Sequence, residues 1–230
     1  MPAPLRLIVC GAAGRMGSLV MKLAREDGRF APGAGIVRGN AVELPARIKD
    51  ADALIDFSKP DASMGFAEAA AFAGKAIAIG TTGFSRAQEK NLKSLSGRCP
   101  ILLSANFSLG VNVMIHLAET AARLLKGYEA SISEVHHKHK KDSPSGTALA
   151  LGEAVRRARP EEPTVAIASE RTGDIVGNHT LSFTGMDDGL ELTHQALSRA
   201  IFAKGALEAA LWLNGKKPGL YGMRDMLEIP

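Results

Sequence analysis

The first hundred positions alternate between short apolar runs and stretches whose apolar residues recur every three or four positions. The runs fall at 5–10, 34–37, 53–57, 76–79 and 101–104, and the helical spacing at 16–25, 63–73 and 86–95. Short apolar runs separated by amphipathic stretches of this length predict βαβ units and a parallel sheet covered on both faces. The pattern changes near Phe107. A helix is predicted at 111–125, a strand at 131–135, a helix at 147–157, and strand-like runs at 164–169, 179–184 and 191–195. Helices followed by consecutive strands predict an α+β unit with a mostly antiparallel sheet. Helical spacing at 198–213 then returns to complete the first unit, and the prolines at 160–163 read as a short connection. The expected architecture is a Rossmann-like doubly wound parallel sheet over 1–107 and 200–230, with a second α+β domain at 108–199.

Composition narrows the class only modestly. A chain of 230 residues, 46% apolar and 23% charged, can bury a real core in one large or two small domains. The formal net charge of +4 is too small to argue for nucleic acid. Cys10 and Cys99 lie apart in apolar settings, as buried free thiols do. No apolar run approaches the roughly 18 residues of a membrane span. The glycines from Gly11 onward interrupt the first apolar run too early for a signal peptide, so a cytosolic protein is expected.

The turn G-A-A-G-R-M-G, Gly11 to Gly17, follows a predicted strand and opens a predicted helix. That is the context a dinucleotide-binding turn requires: glycines let the backbone approach a pyrophosphate, and the helix-start amides face its charge. The spacing is looser than G-x-G-x-x-G, so its specificity is moderate. Three further polar turns end predicted strands: Phe57-Ser58-Lys59, Gly80-Thr81-Thr82-Gly83 and Ser104-Ala105-Asn106-Phe107. In an open α/β sheet these strand ends share one crevice. An acid after the second strand favours NADH, and an arginine there accommodates the 2′-phosphate of NADPH. Here Val37 is followed by Arg38, which points to NADPH, with NADH expected to serve less well.

The densest chemistry lies at E-V-H-H-K-H-K-K-D-S-P-S-G-T, Glu134 to Thr147, which holds three of the six histidines. It leaves a strand, crosses a loop and ends at a helix start, where charge and amides can hold an anion together. Crowded imidazoles and ammonium groups lower one another's proton affinity toward neutral pH. The reading is a catalytic anion site. A basic run can also be a solvated face or an RNA contact, but RNA binders pair such charge with aromatics, and none lies between Tyr128 and Phe183. Neither cysteine lies near the cluster, so no metal is expected.

Together these segments resemble the 4-hydroxy-tetrahydrodipicolinate (dihydrodipicolinate) reductase family of lysine and diaminopimelate biosynthesis. The likeness runs through G-A-A-G-R-M-G, D-F-S from Asp56, G-T-T-G-F from Gly80, N-F-S-L-G-V-N-V from Asn106 and H-H-K-H-K-K-D-S-P-S-G-T-A from His136. It continues in S-R-A-I-F-A-K-G-A from Ser198 and A-L-W-L from Ala210. The resemblance implies a cytosolic homotetramer, with no membrane or nucleic-acid partner, that reduces a cyclic imine dicarboxylate with release of water. It implies proton donation by His136 and Lys140, and substrate carboxylates held by His137, Gly146 and Thr147. Cofactor contacts are implied at Gly11, Ala12, Ala13, Gly14, Arg15, Met16, Arg38, Gly80, Thr81, Thr82, Ser104, Ala105, Asn106 and Phe107. Two departures stand out: Val37 replaces the acid frequent in members that use NADH well, and the stretch from Arg38 to Ala53 is short for the family.

Overall fold

The computed structural model describes residues 3–33, 35–161 and 164–230, which divide into two compact units. The first comprises the chain up to Ser108 and Ala200–Pro230, and the second Leu109–Arg199.

The first unit is a wholly parallel six-stranded sheet. Its elements are β1 (Leu5–Cys10), α1 (Arg15–Glu26), β2 (Phe30–Pro32), α2 (Leu44–Arg47), β3 (Ala53–Asp56), α3 (Pro60–Ala73), β4 (Ala76–Ile79), α4 (Arg86–Leu95) and β5 (Pro100–Leu103). After the second unit's elements, α7 (Ala200–Leu213), β10 (Gly219–Tyr221) and α8 (Met223–Met226) complete it. The strands lie in the order β10-β5-β4-β3-β1-β2, so the winding reverses between β1 and β3, the switch point where open α/β sheets bind ligands.

Strand residues alternate between two cores, as the period of two requires. Leu5, Leu7, Val9, Ala53, Ile55, Ala76, Ala78 and Leu102 face α1 and α7. Ile8, Cys10, Leu54, Ile77, Ile79 and Ile101 face α2, α3 and α4. The alanines of β3 and β4 let the alanine-rich α7 (Ala203, Ala206, Ala209, Ala210) approach closely. Both cysteines are buried and free.

One expected strand is displaced. The run at 34–37 begins at Ala34, outside the described residues, and Ile36 makes only a single bridge to Cys10. The edge strand is Phe30–Pro32, paired with Leu5–Leu7. Beyond it, Asn40 takes over from strand pairing: its Oδ1 accepts the Val37 amide at 2.7 Å and its Nδ2 donates to the Gly35 carbonyl at 3.2 Å. The segment then continues as 3₁₀ turns around α2.

The second unit packs α5 (Leu109–Leu124) and α6 (Gly146–Ala158) against a four-stranded sheet of β6 (Glu129–His136), β7 (Ala166–Arg171), β8 (Gly177–Thr184) and β9 (Gly189–Ala196). The order is β7-β6-β8-β9, with β6 and β7 parallel and the other two pairings antiparallel. Buried Arg159 caps the end of α5, donating to the Ala122 carbonyl at 2.6 Å, the Tyr128 carbonyl at 2.8 Å and the Leu125 carbonyl. Its guanidinium also lies over the Phe183 ring, 5.4 Å from the centroid.

Candidate active site

In the first unit the four polar turns all leave the carboxyl ends of adjacent parallel strands, β1, β3, β4 and β5. Main-chain bonds stitch each turn to the next strand: Phe57 N–H to the Cys10 carbonyl at 3.2 Å, Gly80 to Asp56 at 2.8 Å, and Ser104 to Ile79 at 3.1 Å. Gly11 sits at φ +74°, and a Cβ there would lie 2.5 Å from the Phe57 carbonyl oxygen. A Cβ on Gly17 would collide with the Gly11 carbonyl. Gly14 caps α1 without a side chain, so Ala13, Gly14 and Arg15 are exposed around first-turn amides that lack intrahelical partners. Such a backbone cradle, open at a helix's positive end, fits a pyrophosphate.

The remaining expected cofactor positions fall on the same strand ends. Thr81 is buried and Thr82 exposed. Ser104 and Asn106 brace their own turn: the Ser104 hydroxyl donates to the Asn106 carbonyl at 2.8 Å, and Asn106 Oδ1 accepts the Ser108 amide at 2.9 Å. Ala105 is exposed at its tip. Phe107 is buried in the core, its ring edge-on to Phe57 at 5.9 Å, so it offers a ligand only backbone. Arg38 is exposed on the Val37–Asn40 turn. Asp56, the first residue of the D-F-S segment, is fully buried at the end of β3 and braces the neighbouring turns. It accepts from the Ser63 hydroxyl and from the Thr81 hydroxyl at 2.9 Å, and Thr81 in turn accepts the Ser58 amide at 2.9 Å. Burial raises the Asp56 carboxyl above its usual range, opposed by hydrogen bonds from Ser58, Ser63 and Thr81.

In the second unit the buried face of the sheet changes character along its length. Ile132, Glu134 and His136 share one face of β6, and Gly177, His179, Leu181 and Phe183 share one face of β8. Register sets Ile132 opposite Leu181 and Glu134 opposite His179, so an apolar layer gives way to a polar one. There Glu134, its side chain wholly buried, bonds His136 Nδ1 through Oε2. Its Oε1 accepts from Arg171 Nη2 at 2.8 Å and from the Ser145 amide at 3.2 Å. Ser145 is the N-cap of α6; its hydroxyl accepts the Ala148 amide at 3.2 Å and lies 3.0 Å from His179 Nε2. The His136 and His179 rings meet edge to face at 4.9 Å. Gly177 makes room for this, since a Cβ there would sit 2.7 Å from His136 Nε2.

The loop beyond β6 holds the other expected residues. Lys140 donates both bonds of an ion pair with Asp142, at 2.8 and 2.7 Å. His137 is half-buried, with Arg199 Nη2 at 3.5 Å from its Nε2. Arg199 is a further cation that spacing did not flag. Gly146 and Thr147 form the first turn of α6, at the positive end of the helix dipole. Lys138, His139 and Lys141 are exposed.

Electrostatics refine the expectation of crowded cations. Burial is the leading cause of His136's lowered proton affinity; Glu134 opposes it, and Lys140 and Arg171 add smaller shares. Burial alone would raise the Glu134 carboxyl, but hydrogen bonds from Arg171, Ser169 and His136 outweigh it and bring it to about 2. His179 is pushed down to about 4, first by burial and then by the field of His136. Glu134, His136 and His179 have ligand atoms within 4.8 Å of one another. Each of the three is already engaged by a protein group: Glu134 by Arg171 and the Ser145 amide, His136 by Glu134, and His179 by the Ser145 hydroxyl.

The His179 shift has a consequence for stability. Below pH 6.5 the unfolded chain takes up a proton that the folded imidazole refuses until about pH 4. Stability therefore falls as pH drops through that window, by up to about 3 kcal/mol from this group. Urea midpoints measured from pH 7 to 4 are expected to decline, and less steeply in His179→Gln; equal slopes would contradict the assignment.

Comparisons with known proteins match the chain in two consecutive segments. A family model described as dihydrodipicolinate reductase, N-terminus, matches residues 5–107, and one described as dihydrodipicolinate reductase, C-terminus, matches 110–227. The 4-hydroxy-tetrahydrodipicolinate reductase of Thiobacillus denitrificans is 41% identical, covering 97% of this chain and 98% of the relative. That of Aquifex aeolicus is 40% identical, covering 97% and 99%. Among solved structures, a dipicolinate-bound dihydrodipicolinate reductase from Paenisporosarcina sp. TG-14 superimposes with a TM-score of 0.82 at 20% identity, over 96% of this chain and 99% of that one, a likeness of fold.

Proposed function

The chain belongs to the dihydrodipicolinate reductase family, and we propose that it reduces 4-hydroxy-tetrahydrodipicolinate to tetrahydrodipicolinate, with release of water, using NADPH in preference to NADH. The observation that carries this reading is the buried Glu134–His136 pair tied through Glu134 Oε1 to the amide of Ser145, the cap of α6. It brings a proton-exchanging group and an anion-holding helix end onto one short segment.

When bound, the reduced nicotinamide supplies a hydride to ring carbon 4 of the conjugated imine. Gly11, Ala12, Ala13, Gly14, Arg15 and Met16 hold its pyrophosphate on the backbone cradle, and the turns at Gly80–Thr82 and Ser104–Phe107 hold the remainder. Electron density displaced toward the ring nitrogen leaves an enamine that takes a proton from His136 or Lys140. The first turn of α6, with Gly146 and Thr147, holds one substrate carboxylate, and His137 with Arg199 faces the other. A positive field around the ring nitrogen stabilises the charge that develops there.

Arg38 sets the cofactor preference. A charge-assisted contact to a 2′-phosphate contributes about 1.5–3 kcal/mol, or about one to two decades of affinity. The exposed guanidinium can reach a phosphate, and Val37 leaves no carboxylate there for the ribose hydroxyls of NADH. Cofactor oxidation driven by freshly condensed pyruvate and aspartate semialdehyde should be faster in kcat/KM with NADPH, chiefly through KM, and Arg38→Ala should erase most of that ratio. Equal use of both cofactors by the wild type, or an unchanged ratio in the variant, would refute the preference. For assembly the reading is a homotetramer, in keeping with exposed apolar side chains on the second unit, among them Leu149, Met186 and Leu197. Among the described residues no helix is long and apolar enough to cross a membrane, which accords with a cytoplasmic enzyme.

A further inference from the structure

We propose that Glu134 is a positioning residue for this reduction: its buried carboxylate holds His136 as the Nδ1–H form, leaving Nε2 to exchange the catalytic proton, and anchors the α6 helix start through the Ser145 amide. This rests on the proposed reduction and deepens it. The plainer alternative is a structural ion pair between Glu134 and Arg171.

Three observations favour positioning. First, Glu134 lies two residues before His136 on one strand, so both side chains leave the same face. A charged group replaces an apolar one there only within the layer that contains His136; the next position along that face is Ile132, in the apolar core. Second, the carboxylate's acceptor capacity is divided between the two halves of the candidate machinery. Oε2 faces His136 Nδ1, and Oε1 takes the Ser145 amide and Arg171. One rigid group thus fixes the imidazole relative to the helix end that would hold a substrate carboxylate. Third, the neighbouring groups leave Nδ1 no other partner. His179 Nε2 is engaged with the Ser145 hydroxyl, 3.0 Å away. Lys140 is engaged with Asp142, and Arg171 bonds Glu134 and the Asp142 carbonyl. Gly177, on β8, presents only backbone beside Nε2.

The charged and titratable groups around His136 are therefore Glu134 on its own strand, Arg171 on β7, His179 on β8 and Lys140 on the following loop. Of these only Glu134 favours the imidazolium, so removing its charge weakens His136 as a base and makes its acid form scarcer at a given pH. Glutamine at 134 keeps the shape, but its one carbonyl oxygen cannot serve His136, Arg171, Ser169 and the Ser145 amide together. With that oxygen toward His136, its amide NH₂ faces Arg171 and the Ser145 N–H.

Two measurements test the proposal. Glu134→Gln is expected to lower kcat by roughly 10²-fold and to move the alkaline limb of the kcat–pH profile, where the acid form is lost, to lower pH. NADPH affinity, read by fluorescence titration, should stay within about 2-fold, because the nucleotide cradle is built from the other unit; a structural ion pair alone would not move the limb. A wild-type limb and kcat in Glu134→Gln would overturn the proposal. Independently of activity, ¹⁵N spectra of histidine-labelled wild type, with His136 assigned by its absence in His136→Gln, should show Nδ1 protonated in the neutral ring. A neutral ring protonated at Nε2 would overturn the proposal even if the variant failed to fold, and would leave the assignment of the reduction intact.

Discussion

His136→Gln is expected to lower kcat by 10²-fold or more, the usual scale for a group that transfers a proton in the transition state. His136 is the titratable side chain of its segment that is both buried and oriented by a carboxylate. Glutamine there cannot change protonation state, so the loss falls on the chemical step. KM should change little, because the expected carboxylate contacts lie at His137, Gly146 and Thr147. Lys140→Ala is expected to act in the same direction, since its ammonium lies on the loop that follows His136 and is held by Asp142. If both groups serve one transition state, the double variant loses less than the product of the two single losses. Stopped-flow single turnovers give the chemical rate directly, and a rate near that of the wild type in His136→Gln would remove His136 from the mechanism.

Gly17→Ala is expected to raise the NADPH dissociation constant by more than about 10-fold, the loss of roughly one charge-assisted contact. The new methyl would meet the Gly11 carbonyl oxygen and carbon and the Ala12 Cα, all of them backbone, so no side chain can swing aside to admit it. The turn must open, and the amides at the start of α1 no longer converge on one point. Overpacking of this kind costs about 1–3 kcal/mol of stability. Gly65, within α3, provides the contrast: a Cβ there meets nothing within 4 Å. Gly65→Ala should stabilise by up to about 1 kcal/mol through the lower entropy of the unfolded chain. Calorimetric melts are expected to move in opposite directions for the two variants, and cofactor affinity to fall in Gly17→Ala alone; equal effects would contradict the cradle geometry.

Much of the first unit was legible because strands buried on both faces of a parallel sheet are near-continuous apolar runs, set apart from the helical spacing between them. The runs at Leu5–Cys10 and Ala76–Ile79 became strands with those bounds. Where main-chain bonds or a single side chain carry the structure, the signal fades. Phe30–Pro32 is a three-residue edge strand containing a proline, and Gly219–Tyr221 is equally short. The turn from Gly35 to Asn40 depends on the Asn40 amide rather than on any periodicity.

Candidate site residues were legible where they cluster in sequence, as from His136 to Thr147, and not where strand pairing assembles them. His179 and Gly177 reach His136 through the β6–β8 register, and Arg171 reaches Glu134 from β7. Glu134 did carry a readable signal, since an acid two residues before a histidine on a strand shares its face. The cause of His136's lowered proton affinity was not readable, because its burial depends on Gly177 and His179 being brought beside the ring by β8, whereas charge crowding is visible along the chain.

Hydride addition to the ring of a cyclic imine dicarboxylate is tested most directly by mass spectrometry of the product. With NADPH carrying deuterium at both nicotinamide C4 positions and freshly condensed pyruvate and aspartate semialdehyde, tetrahydrodipicolinate should carry one deuterium, on ring carbon 4. Product without deuterium, or cofactor oxidation that leaves the condensed substrate unreduced, would contradict the account.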